Sequence, residues 1–407
     1  ILYTENIREN NYRRVEYATF DHKIKQVKGK KGTFKSPTSQ TFDLVSAYFF
    51  ARNLDLTNIK VGDDLSLKYF LSDEVTDLEV EYLGKESSEN TSSGGALITK
   101  VILEGDNGRL FSAANWSQAG RAHDAVNIIF NSNNIHSEFI NSFNQTSERI
   151  FDTEFSPTTF TNYKLLNVHY LKARLNEHFT LTTINAADSY QSKTYSGTMY
   201  TRATTGGRLE FERGNLYATI SGYYQFGQLQ TREHISAYYF QPEIQLRSNK
   251  LTTRLGAEFI SGENSEKPSD LSKSFVPLYG VAWRFMGNMD YFTSFPNDVK
   301  KGGLFNPYLF FLYQLNKKLA VRSDFHLFYL GNKTKNDLGN TINPYLGFEN
   351  DMSLKYKYND FTTIDFGFSY MVAEKSMETL KTGSSSLLPI WSYVMITFKP
   401  DLFNFSK

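Results

Sequence analysis

Apolar and polar residues alternate along the second half of the chain, in runs that end at short turns centred on Asn or Gly. Between residues 216 and 228 the even positions carry Leu216, Ile220 and Phe226, and the odd positions carry Thr219 and Gln225. Successive side chains of a β-strand point to opposite faces, so each run has one apolar and one polar face. The pattern predicts long strands that separate an apolar environment from water.

From residue 97 onward this pattern predicts about fourteen strands, most of them as long as the ~9–11 residues that a tilted strand needs to cross a bilayer. The clearest of these predicted strands span residues 122–131, 163–175, 179–187, 198–212, 216–228, 234–247, 251–261, 275–285, 304–315, 319–330, 345–358, 362–371 and 390–399.

The connections between these strands differ at the two ends. Short turns fall at 176–177, 214–215, 249–250, 316–317 and 359–360, and longer polar stretches at 229–233, 261–274, 288–303, 331–343 and 374–387. This asymmetry is typical of outer-membrane barrels. The alternative, a soluble β-sandwich, usually has strands of only about 5–6 residues. We predict an all-β transmembrane antiparallel β-barrel, and the sequence leaves open whether it is complete.

Composition agrees with a barrel and excludes a helical membrane protein. Aromatic residues make up 15% of the chain, with 26 Tyr and 34 Phe, and membrane barrels need aromatics for their interfacial girdles. The mean hydropathy is −0.43, and no apolar run approaches the roughly 20 residues of a spanning helix. The net charge of +1 predicts no polyanion or nucleic-acid partner. With no Cys, disulfides and thiol metal sites are excluded.

Residues 1–86 differ from the rest and predict a small α+β domain. A helix is expected at 42–53, and short strands are expected at 14–20, 22–27, 65–70 and 77–83. Residues 87–96 are rich in Ser and Gly and predict a linker, which leaves residues 97–407 for the barrel.

Three ordered motifs carry a resemblance to a known family. The first, in residues 106–126, contains Asp106, Arg109, Leu110, Phe111, Asn115, Trp116, Gln118, Arg121, His123, Asp124 and Ala125. The second lies at 275–280 and 286–292, and the third at 376–381 and 391–400. Together they resemble the alginate-export family of outer-membrane barrels, in the form common in Bacteroidota. The sequence departs from that family at 102–104, where Ile-Leu-Glu stands in place of Gly-Arg-Gln, and several N-terminal barrel strands are not found.

The N-terminal segment resembles a different family. The run at 42–53, with Val-Gly-Asp at 61–63 and Tyr-Leu-Gly-Lys at 82–85, resembles part of a domain-of-unknown-function family of Gram-negative envelope proteins. The two resemblances imply an outer-membrane barrel of a Gram-negative bacterium with its N-terminal domain in the periplasm.

The alternation of faces along each strand selects the candidate pore-lining residues. A charged Arg or Lys facing lipid at mid-bilayer costs roughly 2–4 kcal/mol, so charged residues are expected to face the lumen. The predicted pore-lining residues are Arg202, Arg208, Glu210, Arg247, Arg254, Glu258, Arg322, Asp324, His326 and Lys355. The family resemblance implies passage of a uronate polymer through an Arg-lined pore. The alternative is that these charges pair with each other and only solvate the lumen.

The first motif supplies a second group of candidates, formed by Asp106, Arg109, Trp116, Arg121, His123 and Asp124. These residues could form a constriction, or an Arg–Asp–His network could lock the strand register inside the barrel, which is the interpretation we favour. We expect no metal at His123, because no second His lies at ligand spacing. No catalytic or phosphate-binding motif is found, so we expect neither an enzyme nor a cofactor.

The sequence thus predicts an outer-membrane porin or export channel. Its partners would be membrane lipid and a polar or anionic solute or polysaccharide, which would cross a charged lumen. The alternative is a plugged structural or binding barrel whose loops dock a partner and which transports nothing.

Overall fold

The computed structural model describes residues 65–71, 76–82, 93–101, 105–112, 123–144, 163–192, 198–280 and 286–399, and for 65–71, 76–82 and 93–101 it describes the backbone alone. The described strands are β1 Leu65–Leu71, β2 Thr76–Tyr82, β3 Ser93–Val101, β4 His123–Asn131, β5 Ile135–Phe143, β6 Leu165–Arg174, β7 Phe179–Gln191, β8 Met199–Arg213, β9 Leu216–Gln228, β10 His234–Ser248, β11 Leu251–Ile260, β12 Leu271–Ser272, β13 Leu304–Asn316, β14 Leu319–Leu330, β15 Tyr345–Lys357, β16 Thr362–Ala373 and β17 Ile390–Phe398. Two short 3₁₀ helices cover Asn297–Val299 and Lys375–Thr379.

These strands form one antiparallel meander in which each long strand pairs with the next along the chain. The two-residue β12 pairs in parallel with β10, so that β11 pairs directly with β13. The fold is a transmembrane antiparallel β-barrel, and this confirms the predicted fold class. Among the described residues no helix is long and apolar enough to cross a membrane.

Short turns lie at one end of the sheet and long connections at the other, as predicted. The turns at 214–215 and 249–250 use Gly214 and Asn249 in the left-handed conformation, with φ of 58° and 41°. Gly and Asn adopt this conformation at the lowest cost, which is why these residues mark the tight hairpins. We call these two ends the turn end and the long-loop end.

The two faces of the wall follow the predicted alternation over β9, β10 and β11. Outward residues such as Tyr224, Tyr238 and Leu255 are exposed, as lipid-facing side chains of an isolated barrel are. The inward neighbours Gln225 and Glu258 are fully buried. The strand limits predicted for β9 and β14 agree with the structure to the residue.

Over β5, β6 and β7 several outward positions are polar and several inward positions are apolar, the reverse of the pattern in β9 to β11. Here the outward side carries Asn141, Asn167 and Asn185, all exposed, whereas Leu166 and Ile184 on the inward side are buried. The inward apolar residues belong to a hydrophobic cluster inside the barrel that also includes residues of its loops. The wall is apolar inside at this point because it packs against protein instead of water.

The predicted strand at 275–285 is wrong over its described part, because residues 275–280 form only one isolated bridge, between Phe111 and Tyr279. Instead of pairing in a ladder, the backbone of Val276 donates to and accepts from the side chain of Gln225. The strand β5 was not predicted at all. The predicted helix at 42–53 and the strands at 14–20 and 22–27 lie outside the described residues.

Candidate functional site

Three segments at the long-loop end fold into the barrel, and we call residues 105–112, 273–280 and 286–300 the inward loops. Their apolar side chains, among them Phe111, Phe275 and Phe292, are almost completely buried in one hydrophobic cluster. The first two segments also pair with each other, since Ser112 N donates to Tyr279 O at 3.1 Å and Tyr279 N to Leu110 O at 2.7 Å. The long-loop half of the interior is therefore occupied by the chain itself.

Arg109 holds the first inward loop to the wall. Its guanidinium forms an ion pair with Glu258 on β11, and the two side chains are only 1% and 0% exposed. The hydroxyl of Tyr239 donates to the same carboxylate at 2.7 Å. Because a buried carboxylate is costly without partners, these bonds make Arg109 and Glu258 depend on each other. Glu258, predicted to line an open pore, lies beneath this loop.

Two neighbours of Arg109 in the motif also bind the wall. Tyr223 on β9 donates to Asp106 at 2.7 Å, and Asn107 donates to Gln241 on β10 at 2.6 Å. The first inward loop thus contacts three adjacent strands. His123 lies on β4, where its Nδ1 is 2.7 Å from the hydroxyl of Tyr163. Trp116, Arg121 and the side chain of Asp124 lie outside the described residues.

Arg202 anchors the second inward loop through a partner on the adjacent strand. Its Nε and Nη2 atoms lie 3.1 and 2.5 Å from the two oxygens of Asp188, a bidentate ion pair that is almost fully buried. Tyr279 of the inward loop donates to the same carboxylate at 3.3 Å. Arg202, predicted to line the pore, here contributes to the attachment of a loop.

A pair of carboxylates on β15 receives the third inward loop. Backbone N–H groups of Asn288 and Met289 donate to Asp351 at 3.1 Å and to Glu349 at 2.9 Å. Gly287 has a φ of +81°, and a side chain there would collide with the Glu349 carboxylate. The glycine therefore allows the loop backbone to approach the wall. His326 on the neighbouring strand is also buried, 3.9 Å from Asp351.

Nearer the turn end, two arginines share one aromatic ring. The guanidinium carbons of Arg254 on β11 and Arg322 on β14 lie 5.3 and 5.5 Å from the centre of the Phe310 ring on β13. Side chains of the arginines are 31% and 43% exposed, in contrast to the buried Arg109 and Arg202. We call Arg254, Phe310 and Arg322 the arginine pair site.

Each arginine of this site is held by a carboxylate through the same edge. Nε and Nη2 of Arg254 bind the two oxygens of Glu243 at 3.2 and 2.7 Å. Nε of Arg322 binds one oxygen of Asp324 at 2.8 Å, and Nη2 binds the other at 2.5 Å. The Nη1 atoms have no partner within the described part of the chain, so each guanidinium keeps donors that point away from its carboxylate.

The remaining predicted pore residues lie around the same half of the barrel. Arg208 bonds to Glu210 at 2.8 Å and to the hydroxyl of Tyr217 at 3.1 Å. Arg247 pairs with Glu212 at 2.6 Å close to the turn end, and the exposed Lys355 lies 3.8 Å from Asp365. The predicted charges thus form local ion pairs.

Sequence reasoning missed several partners. Alternation along β10 placed Glu243 on the polar face, and the same alternation along β7 places Asp188 inward, so Asp188 could have been added to the predicted lumen residues. Phe310 and Tyr308 lie in an apolar run, Pro307–Tyr313, in which alternation is weak, and no local signal marks them as lumen residues.

Within the described residues no group of three or more acidic, His or Cys side chains could hold a metal ion.

The described residues define a transmembrane β-barrel with part of its interior filled by its own loops. Among solved structures the chain is similar to OccK10 (OpdN) from Pseudomonas aeruginosa, with 10% sequence identity and a TM-score of 0.50, over 83% of this chain and 92% of that chain. It is also similar to OpdO from the same organism, at 11% identity and a TM-score of 0.46 over 79% of each chain. A third similar structure is an anion-selective porin from Comamonas acidovorans, at 9% identity and a TM-score of 0.41 over 74% of this chain and 79% of that chain. At these identities the likeness concerns the fold alone, and the first structure supports the barrel.

The sequence comparisons concern the N-terminal region. A family model described as a protein of unknown function (DUF3108) matches residues 1–109. This match agrees with the predicted resemblance of that region to a domain-of-unknown-function family, and it extends through β1, β2 and β3 as far as Arg109. A comparison with curated proteins finds no match.

Proposed function

We propose that the protein is an outer-membrane channel for small polar solutes that favours anions, and that anions bind at the arginine pair site. The observation that carries this proposal is the position of Arg254 and Arg322 on one ring, both partly exposed toward the lumen. A guanidinium group binds carboxylate and phosphate oxygens through two parallel N–H donors, so two guanidinium groups that contact the same ring offer donors to an anion.

The carboxylates beside the arginines make this site weak enough for transport. Glu243 and Asp324 neutralise the two guanidinium charges, so an anion gains only the short-range contact with the remaining N–H donors. Conduction requires a site that a solute can enter and also leave. Phe310 keeps both guanidinium groups in place through cation–π contacts.

The first sequence motif agrees with an anionic solute. Residues 106–126 resemble the alginate-export family, which favours a uronate-bearing solute as the cargo. Outer-membrane barrels have short periplasmic turns and long extracellular loops, so we assign the arginine pair site, which is near the turn end, to the periplasmic half of the barrel. We assign the part of the N-terminal region that precedes β1 to the periplasm.

Conductance across a planar bilayer tests the proposal. The double variant Arg254→Gln with Arg322→Gln leaves Glu243 and Asp324 without their arginines, so the reversal potential in a salt gradient should move from anion toward cation preference. Arg247→Gln is the matched control, because it also removes an exposed, paired lumen charge but lies away from Phe310. Equal shifts in the control and the double variant would contradict a specific site. Heat-modifiable gel migration verifies that each variant is folded.

The inward loops favour a second candidate function, a plugged barrel that docks a partner and transports nothing. Their buried apolar cluster is what a permanent plug would need. A barrel that shows heat-modifiable migration but no conductance under any tested voltage would support this candidate and overturn the channel.

A further inference from the structure

A groove runs along the outer wall of the barrel where Gly222 faces outward. Gly222 lies opposite Gly207 on one neighbouring strand and opposite Phe240 on the other, so the wall has no side chain at the glycine pair. Outward aromatic side chains surround the gap, among them Tyr224, Tyr238 and Phe259, and the groove has a volume of about 750 Å³. It is an apolar groove on the lipid-facing surface of the barrel.

A polar cavity of about 430 Å³ lies at the long-loop end. Three lysines line it, Lys267, Lys273 and Lys300, together with one acidic residue, Glu263. Lys300 pairs with Asp337 at 2.6 Å, and Glu263 lies 3.6 Å from Lys301 outside the lining. Neither Lys267 nor Lys273 forms an ion pair with any described residue, so the cavity carries two uncompensated positive charges.

The groove and the cavity adjoin each other, because Tyr238 lines both. Ser236, above Tyr238 on the same outward face, lines the cavity and lies 3.0 Å from the hydroxyl of Tyr224 in the groove wall. Tyr238 is 58% exposed on the lipid face near the start of β10. Tyrosine concentrates at the level of lipid headgroups, where its ring is in the apolar layer and its hydroxyl is in the polar one.

We propose that the adjoining groove and cavity together bind a phosphorylated lipid of the leaflet beside the long loops. Its phosphate lies between Lys267 and Lys273, and one acyl chain lies along the groove over Gly222. The occupant must be amphipathic, since a cationic cavity directly above an aromatic groove fits an anionic headgroup joined to a hydrocarbon chain. This inference goes beyond conduction, because the surface is on the outside of the wall and shares no residue with the arginine pair site.

Native mass spectrometry of the full chain in detergent tests the site. The probes are phosphatidylglycerol, phosphatidylcholine and inorganic phosphate. We expect retention of phosphatidylglycerol at a low and defined number per barrel, at least tenfold tighter binding of it than of phosphatidylcholine, and no retention of inorganic phosphate. Equal binding of the two lipids would overturn the role of the lysines. Retention of inorganic phosphate at similar affinity would show a site for soluble anions and overturn the lipid.

Two variants address the two parts of the surface separately. Lys267→Gln with Lys273→Gln should weaken phosphatidylglycerol binding about tenfold or more. Gly222→Leu should also weaken it, because its side chain would fill the groove, while its Cβ would lie no closer than 4.0 Å to the Phe240 ring and so fit the wall. Lys317→Gln with Lys318→Gln is the matched control, with the same charge change at two exposed residues of the β13–β14 turn, away from the cavity. Binding that is equal in all three variants would overturn the proposal.

Conductance of the same variants separates this inference from the proposed function. The lipid-site variants should conduct like the unmodified chain, and the arginine pair variants should retain lipid. If the unmodified chain binds lipid but does not conduct, the proposed channel function is overturned and the lipid site is not.

Discussion

Gly256 lies directly across the β11–β13 ladder from Tyr308, and the Tyr308 ring occupies the space that a side chain at 256 would need. This close approach brings the Tyr308 hydroxyl to Glu243, to which it donates at 2.7 Å. Gln241 donates to the same hydroxyl at 2.8 Å. The missing side chain therefore determines how Glu243, and through it Arg254, is held.

Gly256→Ala should destabilise the barrel by about 1–3 kcal/mol, because its methyl group would force the Tyr308 ring out of its place. The change would also alter the Glu243 carboxylate and shift the reversal potential measured in bilayers. Unfolding in detergent, followed by heat-modifiable migration, gives the stability. Gly222→Ala is the matched control on the outer face, where the added methyl contacts nothing closer than 4.0 Å. Equal stability of the two variants would contradict the proposed packing.

Arg109→Met should cost about 3–5 kcal/mol of stability, because it leaves the buried Glu258 carboxylate without its cation. The inward loop at 105–112 would detach, and conductance should rise as the interior opens. Unfolding in urea and single-channel recording measure the two effects. Adding Glu258→Gln to Arg109→Met should recover most of the stability, since no buried charge remains. A double variant no more stable than Arg109→Met alone would refute the dependence between these residues.

Gln225→Leu should release the inward loop at 273–280 from the wall. Both Val276 backbone groups bonded to this amide would lose their partner, at about 1–3 kcal/mol for each buried group left unsatisfied. Limited proteolysis should then cut within 273–280 faster than in the unmodified protein. Thr205→Val, on the outward face of the neighbouring strand, serves as a control that leaves the loop protected. An unchanged cleavage rate in Gln225→Leu would show that the loop is held by its apolar contacts alone.

Asp290 in the third inward loop gives a pH-dependent prediction. Partial burial raises the pKa of Asp290 above its usual range although the residue is still exposed, so its charged form slightly destabilises the folded loop. Asp290→Asn should raise the melting temperature at pH 7. The gain should disappear as the pH falls below about 3.9, where the carboxyl is protonated in both the folded and the unfolded chain. The residue has a φ of 56°, which Asn adopts readily, so the backbone should be unaffected. A gain that stayed constant with pH would contradict this explanation.

Strand positions and faces were largely predictable because alternation is a local property of the sequence. The limits of β9 and β14 and the inward direction of Arg254 follow from it directly. The partner of each charge was not predictable, because it depends on the register of the adjacent strand, which alternation within one strand does not encode.

The inward loops were not predictable for a different reason. The apolar residues at 275–280 resemble a strand because a loop buried inside a barrel needs apolar side chains just as a strand does. The path of this loop depends on contacts with residues distant in sequence, such as Gln225 and Asp188. The missing prediction of β5 has a simpler cause, since Asn141 and Ser137 on its outward side remove the apolar alternation.

The carboxylate that neutralises each exposed arginine lies on the same strand or on the adjacent one. Arg322 pairs with Asp324 along β14, and Arg254 on β11 pairs with Glu243 on β10. Each pair is therefore a short dipole at the wall, and its field decays with distance more steeply than that of a single charge. A solute on the barrel axis would interact with it only weakly, and a solute in contact with the wall would interact with it strongly. Discrimination in such a lumen depends on contact, and it should persist at ionic strengths that abolish long-range electrostatic attraction.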